Sequence, residues 1–442
     1  MKIKKLKIDL KNILYEKILS QNFFLTLNIF LLYIYGLASI YYSSNTSNIL
    51  AERQLTFGII GLALYFLFAS IDYINLSFPL FYLGFTYISI LILFIDLFVG
   101  KNVNGAARWI ALGFVNFQPS EIAKFAVILI CAGMLSQKKK NFYLFTFLSV
   151  LIIFLVFKEP SLSSAITILI TILVTVFISM KNKLIAISMV LLLGLSLISG
   201  FILITNHKLI IYSLALVTFE ILICGLFMLF LNISTPVISK TNEKTSKKTS
   251  KLKEFIYITL AIFISFVTGV LIFSIGWNHL LQPYQKQRIL SFLYNKDKST
   301  SYQITQAEIA IGSGEIYGGG TTQTRLDFLP EYSTDFIFAT SAEEFGFIGV
   351  SILILLYFFL INILSEILQK TTDDYSKLFI SGVILIISIQ TTLNILINLG
   401  KLPTTGIPLP FMSSGGSDLI IMFCLLGIVQ SIYRHTKANR RI

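Results

Sequence analysis

The sequence predicts an all-α polytopic membrane protein, a helical bundle of about twelve spans, and three observations carry that prediction. Of its 442 residues 55% are hydrophobic and only 13% charged, with a mean hydropathy of +0.80, well outside the composition of soluble globular chains. Apolar runs of the roughly 20 residues that a helix needs to cross a bilayer recur along the chain, as in "FFLTLNIFLLYIYGLASIYY" (23–42) and "LIAISMVLLLGLSLISGFILI" (184–204). The Lys and Arg residues collect in short stretches beside those runs. That placement is a signature of topology and anionic headgroups, and it accounts for the net charge of +13 without nucleic acid.

Candidate spans run over 22–43, 54–72, 76–98, 119–136, 142–157, 161–180, 184–205, 210–231, 255–276, 345–365, 377–398 and 416–433. In lipid the backbone must satisfy its own hydrogen bonds, so each is a helix. The first follows a Lys-rich start (Lys2, Lys4, Lys5, Lys7, Lys11, Lys17). It is too long for a signal-peptide core and no small-residue cleavage site follows, so it reads as an uncleaved span. With residues 1–21 cytoplasmic, the basic stretches 136–141, 180–183, 239–254 and 434–441 all fall on one side, as the positive-inside rule requires. One missed or invented helix would break that agreement. Residues 232–254 read as a cytoplasmic Lys/Ser/Thr linker and 434–442 as a cytoplasmic basic tail. The opposite face receives 99–120, 277–344 and 400–416, which hold most of the Gly, Pro and amphipathic aromatic residues outside the spans. Site chemistry is therefore expected to face outward.

Several bland readings clear the ground. Cys131, Cys224 and Cys424 sit singly in apolar runs, as small buried hydrophobes do. "GSGEIYGGG" (312–320) lacks the Gly-Lys-Ser/Thr ending of a phosphate loop and reads as a sharp turn. His207, His279 and His435 have no ligand spacing, which argues against a protein-built zinc site.

What is left is a set of ionisable groups toward the outer side. Glu121 and Lys124 in "QPSEIAK" lie three apart on one helix face, either as a functional pair, the default for charges at membrane depth, or as an ion pair that locks packing. Arg108 in "NGAARWIALG" sits in an amphipathic outer loop, as a pyrophosphate clamp or an interfacial anchor. "PYQKQRILSFL" (283–293) reads as an interfacial amphipathic helix with Lys286 and Arg288 toward headgroups, and such a helix also suits an anionic lipid substrate. Glu331 and Asp335 precede a span, where they either cap the helix or do chemistry. Glu343 and Glu344 enter a polar interior on this reading, and Asp418 sits at the edge of the last span.

These stretches, taken together, resemble a known family. "NGAARWIALGFVNFQPSEIAK", "PYQKQRILSFL", "SYQITQAEIAIGSGEIYGGG", "LPEYSTDFIFATSAEEFGF" and "GKLPTTGIPLPFMSSGGSDL" are similar, in one order from 99 to 433, to the successive signatures of the SEDS (shape, elongation, division and sporulation) family, and "TTGIPLPF" and "SAEEFGF" to its elongation-type members. The resemblance implies ten family helices in a single membrane domain (22–433), with an inserted helix pair near 184–231 and a catalytic outer loop over 277–344. Departures from the family pattern are Ser161 for a usual Asp, Glu315 and Gly319 for Gly and Lys, Ser333 for a frequent His, Asp418 for a frequent Ser, and a shortened loop around Asp297.

The same resemblance implies the chemistry: a peptidoglycan glycosyltransferase that polymerises lipid II on the outer face of the plasma membrane and releases polyprenyl pyrophosphate. The expected partners are a class B penicillin-binding protein and other elongation-complex membrane proteins. The family's essential aspartate precedes the Tyr-Gln of the Gly-rich motif, a place that Asp297 takes here ahead of Tyr302 and Gln303. It would be the general base, with Arg108, Lys124 and Lys286 or Arg288 holding the pyrophosphate and Glu121 and Glu331 completing the substrate site. No cofactor is expected beyond a divalent cation on the pyrophosphate. A lipid II flippase and a catalytically silent scaffold are the competing readings.

Overall fold

A computed structural model describes residues 21–43, 47–103, 106–112, 115–137, 141–159, 161–179, 282–294, 298–319 and 329–439. The chain divides into two compact units, Met1–Ser179 with Gln287–Ile442, and Met180–Lys286. The first is built from α1 (Phe23–Tyr42), α2 (Ser47–Ser70), the short α3 (Tyr73–Leu76), α4 (Pro79–Val99), strands β1 (Lys101–Val103), β2 (Ala106–Leu112) and β3 (Val115–Phe117), α5 (Pro119–Leu135), α6 (Phe142–Lys158) and α7 (Leu162–Ser179). After α8 (Pro283–Tyr294), which straddles the division, come α9 (Lys298–Ser313), α10 (Ile337–Lys370), α11 (Asp374–Asn398) and α12 (Gly416–Asn439). Seven of these helices are long and apolar enough to cross a membrane. The expected spans at 184–205, 210–231 and 255–276, and the linker between them, lie outside the described residues.

Helix α5 is the axis of the first unit. It is apolar almost all round, the pattern of a helix buried on every side, and from Pro119 to Leu135 only Ile122 escapes burial. Neighbours α4, α6, α7, α11 and α12 surround it. The outer helices turn large apolar side chains outward instead, among them Tyr87, Leu91, Phe94 and Phe98 of α4 and Phe347, Ile352, Phe358 and Phe359 of α10. That inversion suits lipid, where an apolar exterior carries no hydrophobic penalty.

Hydrogen bonds fix which termini share an end. At one end Gln430 of α12 accepts from Asn22 N (2.9 Å) and donates to Asn22 O (2.9 Å) and Tyr65 Oη (2.7 Å), while Asp72 meets Arg434 (2.9 Å) and His435 (3.0 Å). At the opposite end Gln118 N donates to Ser417 Oγ (3.2 Å) and Ser39 Oγ to Glu344 Oε2 (2.8 Å). Among the described residues of the first unit, those of the expected loops 99–120, 277–344 and 400–416 gather at this second end.

Two features there differ from the expected loops. Residues 101–117, read as an amphipathic loop within an all-α fold, form a small antiparallel sheet in the order β1-β2-β3, with Lys101 opposite Trp109 and Ile110 opposite Phe117. Strands this short give little period-2 signal, and pairing lets the segment satisfy its own backbone groups. The span expected to begin at 345 begins at Ile337 and runs to Lys370, bent at Gly346 (φ 65°, ψ −166°).

The glycine-rich turn explains that bend. Breaking the helix at Gly346 frees backbone groups, which a buried helix must satisfy elsewhere. The turn after α9 supplies partners: Phe347 N donates to Glu315 O (2.9 Å), Ile348 N to Ile316 O (3.2 Å), and Gly319 N to Glu343 O (2.8 Å). Such close backbone approach needs residues without a Cβ. A Cβ on Gly346 would run into Gly318 N, and one on Gly318 (φ 87°) into Glu344 O. Gly346→Ala and Gly318→Ala are each expected to lower thermal stability by at least about 2 kcal/mol. Gly84→Ala, where a Cβ meets open space, is the control and should leave the melting temperature of detergent-solubilised protein unchanged or slightly raised.

Candidate functional site

Two helix N-termini build the site. Pro119 opens α5 at a position that suits its fixed φ and missing N–H, which puts Glu121 in the first turn and Lys124 one turn on. Gly416 opens α12 with Asp418 in its first turn. Both carboxylates thus sit where the helix dipole favours negative charge. Lys124 Nζ lies 2.7 Å from Glu121 Oε2 and 3.4 Å from Asp418 Oδ1, with all three side chains buried. Gln390, midway along α11, donates its Nε2 to the same Asp418 oxygen (3.2 Å). An ammonium at 1% exposure is tolerable only with such compensation.

A second polar layer continues from the start of α5. Gln118 Nε2 donates to Ser120 Oγ (2.8 Å) and Ser161 Oγ (3.3 Å), and Ser120 N to Glu159 Oε1 (3.4 Å). Glu159, in the turn between α6 and α7, is fully buried, and its other oxygen has no hydrogen-bond partner among the described residues. Burial first, then the nearby Asp96, pushes its carboxyl well above the ordinary glutamate range. Asp96 of α4 is buried too, with neither carboxyl oxygen hydrogen-bonded among the described residues.

The loops over this end are clamped from below. Asn394 Nδ2 of α11 donates to Asp335 O (2.9 Å) and Ile407 O (2.7 Å), and Asn398 Nδ2 to Asp335 O (3.1 Å). Ser413 Oγ accepts from Leu409 N (2.7 Å) and donates to Thr334 O (2.6 Å), and Ser414 N donates to Ser333 O (2.7 Å). The segments 331–335 and 407–414 are thereby held as one surface beside Asp418.

Of the residues singled out from sequence, the structure brings Glu121 and Lys124 together. Arg108 lies on β2 rather than in an irregular loop, and its side chain lies outside the described residues, as does Asp297 entirely. Lys286 and Arg288 are both on α8, half-buried, in a helix where one was expected. Glu331 occupies an exposed turn at φ 59° and accepts from Thr334 Oγ1 (2.8 Å). It does not cap α10, whose N-cap is Phe336. Glu343 and Glu344 are buried, as a polar interior requires. Sequence reasoning missed Asp96, Glu159 and Gln390, and it saw Asp418 as a charge at a span edge and a departure from a pattern without connecting it to Lys124. A carboxylate interrupting the apolar run "ILFIDLFVG" was a signal of the kind that marks intramembrane sites.

A bundle with an apolar exterior and a charged cluster buried at one end defines a multi-pass integral membrane protein with a site at that end. A model of the cell cycle protein family, which groups FtsW, RodA and SpoVE, matches residues 17–219 and 248–438, and the chain belongs to that family. It is 32% identical over 362 residues to the peptidoglycan glycosyltransferase MrdB of Escherichia coli strain K12, covering 79% of this chain and 76% of that one. To the peptidoglycan glycosyltransferase RodA of Treponema pallidum it is 30% identical, covering 86% of this chain and 88% of the relative. The fold is similar to that of a chain in a peptidoglycan synthase complex that coordinates polymerization and crosslinking, with a TM-score of 0.64 at 24% identity over 94% of this chain and 98% of that one.

Two predictions test the electrostatics of the cluster. Lys124→Met strands two buried carboxylates and is expected to destabilise the protein by about 3–5 kcal/mol, read as thermal unfolding in detergent, with part of the loss recovered in the Lys124→Met/Glu121→Gln double variant. Because the Glu159 carboxyl is raised, the stability it contributes is present at low pH and lost as pH climbs through its folded value. Glu159→Gln should therefore match wild type in acid and exceed it in alkali; identical melting curves across pH would show that Glu159 titrates as an ordinary surface group.

Proposed function

We propose that this chain is a peptidoglycan glycosyltransferase that polymerises lipid II into glycan strands on the outer face of the plasma membrane during elongation and shape maintenance. The observation that carries the reading is the buried Lys124 cation between Glu121 and Asp418, set at the end of the bundle that the charge pattern assigns to the outer face, in a chain whose relatives are named peptidoglycan glycosyltransferases. In this topology both termini are cytoplasmic, and residues 184–231 form a helix pair added to the family's ten.

The reaction joins the 4-hydroxyl of a GlcNAc on one lipid-linked unit to C1 of the MurNAc on another, and the departing group is polyprenyl pyrophosphate. It needs a base for the hydroxyl proton and positive charge for the departing anion. Asp297, flanked by Lys296 and Lys298, is the proposed base, kept ionised by those ammonium groups. Arg108 and Lys124, with Lys286 or Arg288, are the proposed pyrophosphate cations, with Glu121 holding Lys124 in place. Glu331, exposed on a turn, is a further proposed substrate-binding residue. A divalent cation on the pyrophosphate is a further proposed component, beside the chain's own cations.

The proposed partner is a class B penicillin-binding protein, since a chain of similar fold belongs to a complex that couples polymerization to crosslinking. Other elongation-complex membrane proteins are further proposed partners. Asp297→Asn is expected to abolish polymerisation of labelled lipid II by the reconstituted protein while its melting temperature and partner binding stay at wild-type values. Wild-type rates in that variant would remove Asp297 from the mechanism. Absence of polymer from wild type with its partner, together with lipid II translocation in vesicles, would favour transport over synthesis.

A further inference from the structure

Charge counting around Lys124 leads beyond its role as a cation. Two carboxylates approach one ammonium, Glu121 at 2.7 Å and Asp418 at 3.4 Å, and among the described residues the Asp418 carboxylate also accepts from the neutral amide of Gln390 (3.2 Å). Fully ionised, the trio would bury an uncompensated negative charge, which low-dielectric surroundings disfavour by several kcal/mol. One additional proton on the two carboxylates makes the trio neutral. Groups this close titrate as a unit, so the proton belongs to the pair rather than to either residue.

Among the described residues, few other charged and titratable groups bear on the trio. Glu159, from the turn between α6 and α7, acts electrostatically on Glu121, and Asp96 of α4 acts on Glu159. Tyr357 of α10 lies within electrostatic reach of Asp418, but its hydroxyl is committed to Pro410 O (2.5 Å). None of these supplies a positive charge to replace the missing one.

We propose that Asp418 is a positioning residue for Lys124: with Glu121 it forms a two-carboxylate cradle that carries one shared, exchangeable proton and couples anion binding at Lys124 to that proton. The inference rests on the pyrophosphate-binding reading of Lys124. An anion arriving at Lys124 meets a neutral trio when the proton is present and a negative one when it is absent. Binding of the lipid pyrophosphate therefore weakens as pH rises, by up to about tenfold per pH unit once the proton is lost. Removing either carboxylate removes the proton and with it the coupling.

The test measures the KM of lipid II polymerisation between pH 6 and pH 9, roughly the window open to such assays, for the full-length protein reconstituted with its transpeptidase partner. A Glu159→Gln background takes the neighbouring carboxyl out of the titration. In that background KM should climb with pH, and it should be flat in Asp418→Asn, which keeps the shape and the acceptor oxygen but not the charge. Glu121→Gln should flatten it in the same way, which a purely structural role for Asp418 does not predict. A pH dependence retained in Asp418→Asn would overturn the proposal. Melting temperature against pH provides an arm that needs no activity: it should fall with pH in the Glu159→Gln background and lose that fall in Asp418→Asn. Parallel melting curves would overturn the shared proton, whereas a melting difference without any polymerisation would overturn the enzymatic reading and leave the cradle standing.

Discussion

A lysine buried in an apolar bundle must be neutralised where it stands, and the way Lys124 is neutralised constrains much of the structure around it. Its partners come from its own helix, through Glu121, and from the start of the last helix, through Asp418. That requirement fixes the beginning of α12 against the beginning of α5, and the bond from Gln118 N to Ser417 Oγ holds the same junction. Gln390 brings α11 into it. Once α5, α11 and α12 converge, the segments leading into α10 and α12 have one surface to lie on, and Asn394 and Asn398 bind both of them through their backbone carbonyls.

The second constraint is the bend at Gly346. In lipid no water is available to rescue a broken helix, so the bend exists only because the turn after α9 presents Glu315, Ile316 and Gly319 to it. This makes the glycine-rich segment a structural part of α10, and it ties α9, which follows directly on Asp297, to a rigid span.

How much of this was legible in the sequence follows from which signals are local. The spans were readable because hydropathy over a run of some 20 residues is a sum that local detail does not upset, and the described helices fall close to the expected ranges. Glu121 and Lys124 were readable because a spacing of three is a helix-face statement. The β1-β2-β3 sheet was not, since two of its three strands have only three residues and carry no usable period. Asp418 is 294 residues from Lys124, and no pattern along the chain announces that they meet; the same holds for Gln390. Glu159 and Asp96 are far apart in the sequence, and only their shared burial brings them into the same polar layer.

Lys124 is the cation proposed to meet a pyrophosphate at the end of the bundle where the charged cluster is buried. A structure of the reconstituted protein bound to a polyprenyl pyrophosphate tests this most directly. The account predicts pyrophosphate oxygens within hydrogen-bond reach of Lys124 Nζ, with Glu121 and Asp418 still flanking it on the inner side. A pyrophosphate bound elsewhere, with Lys124 enclosed by its two carboxylates as in the free protein, would contradict it.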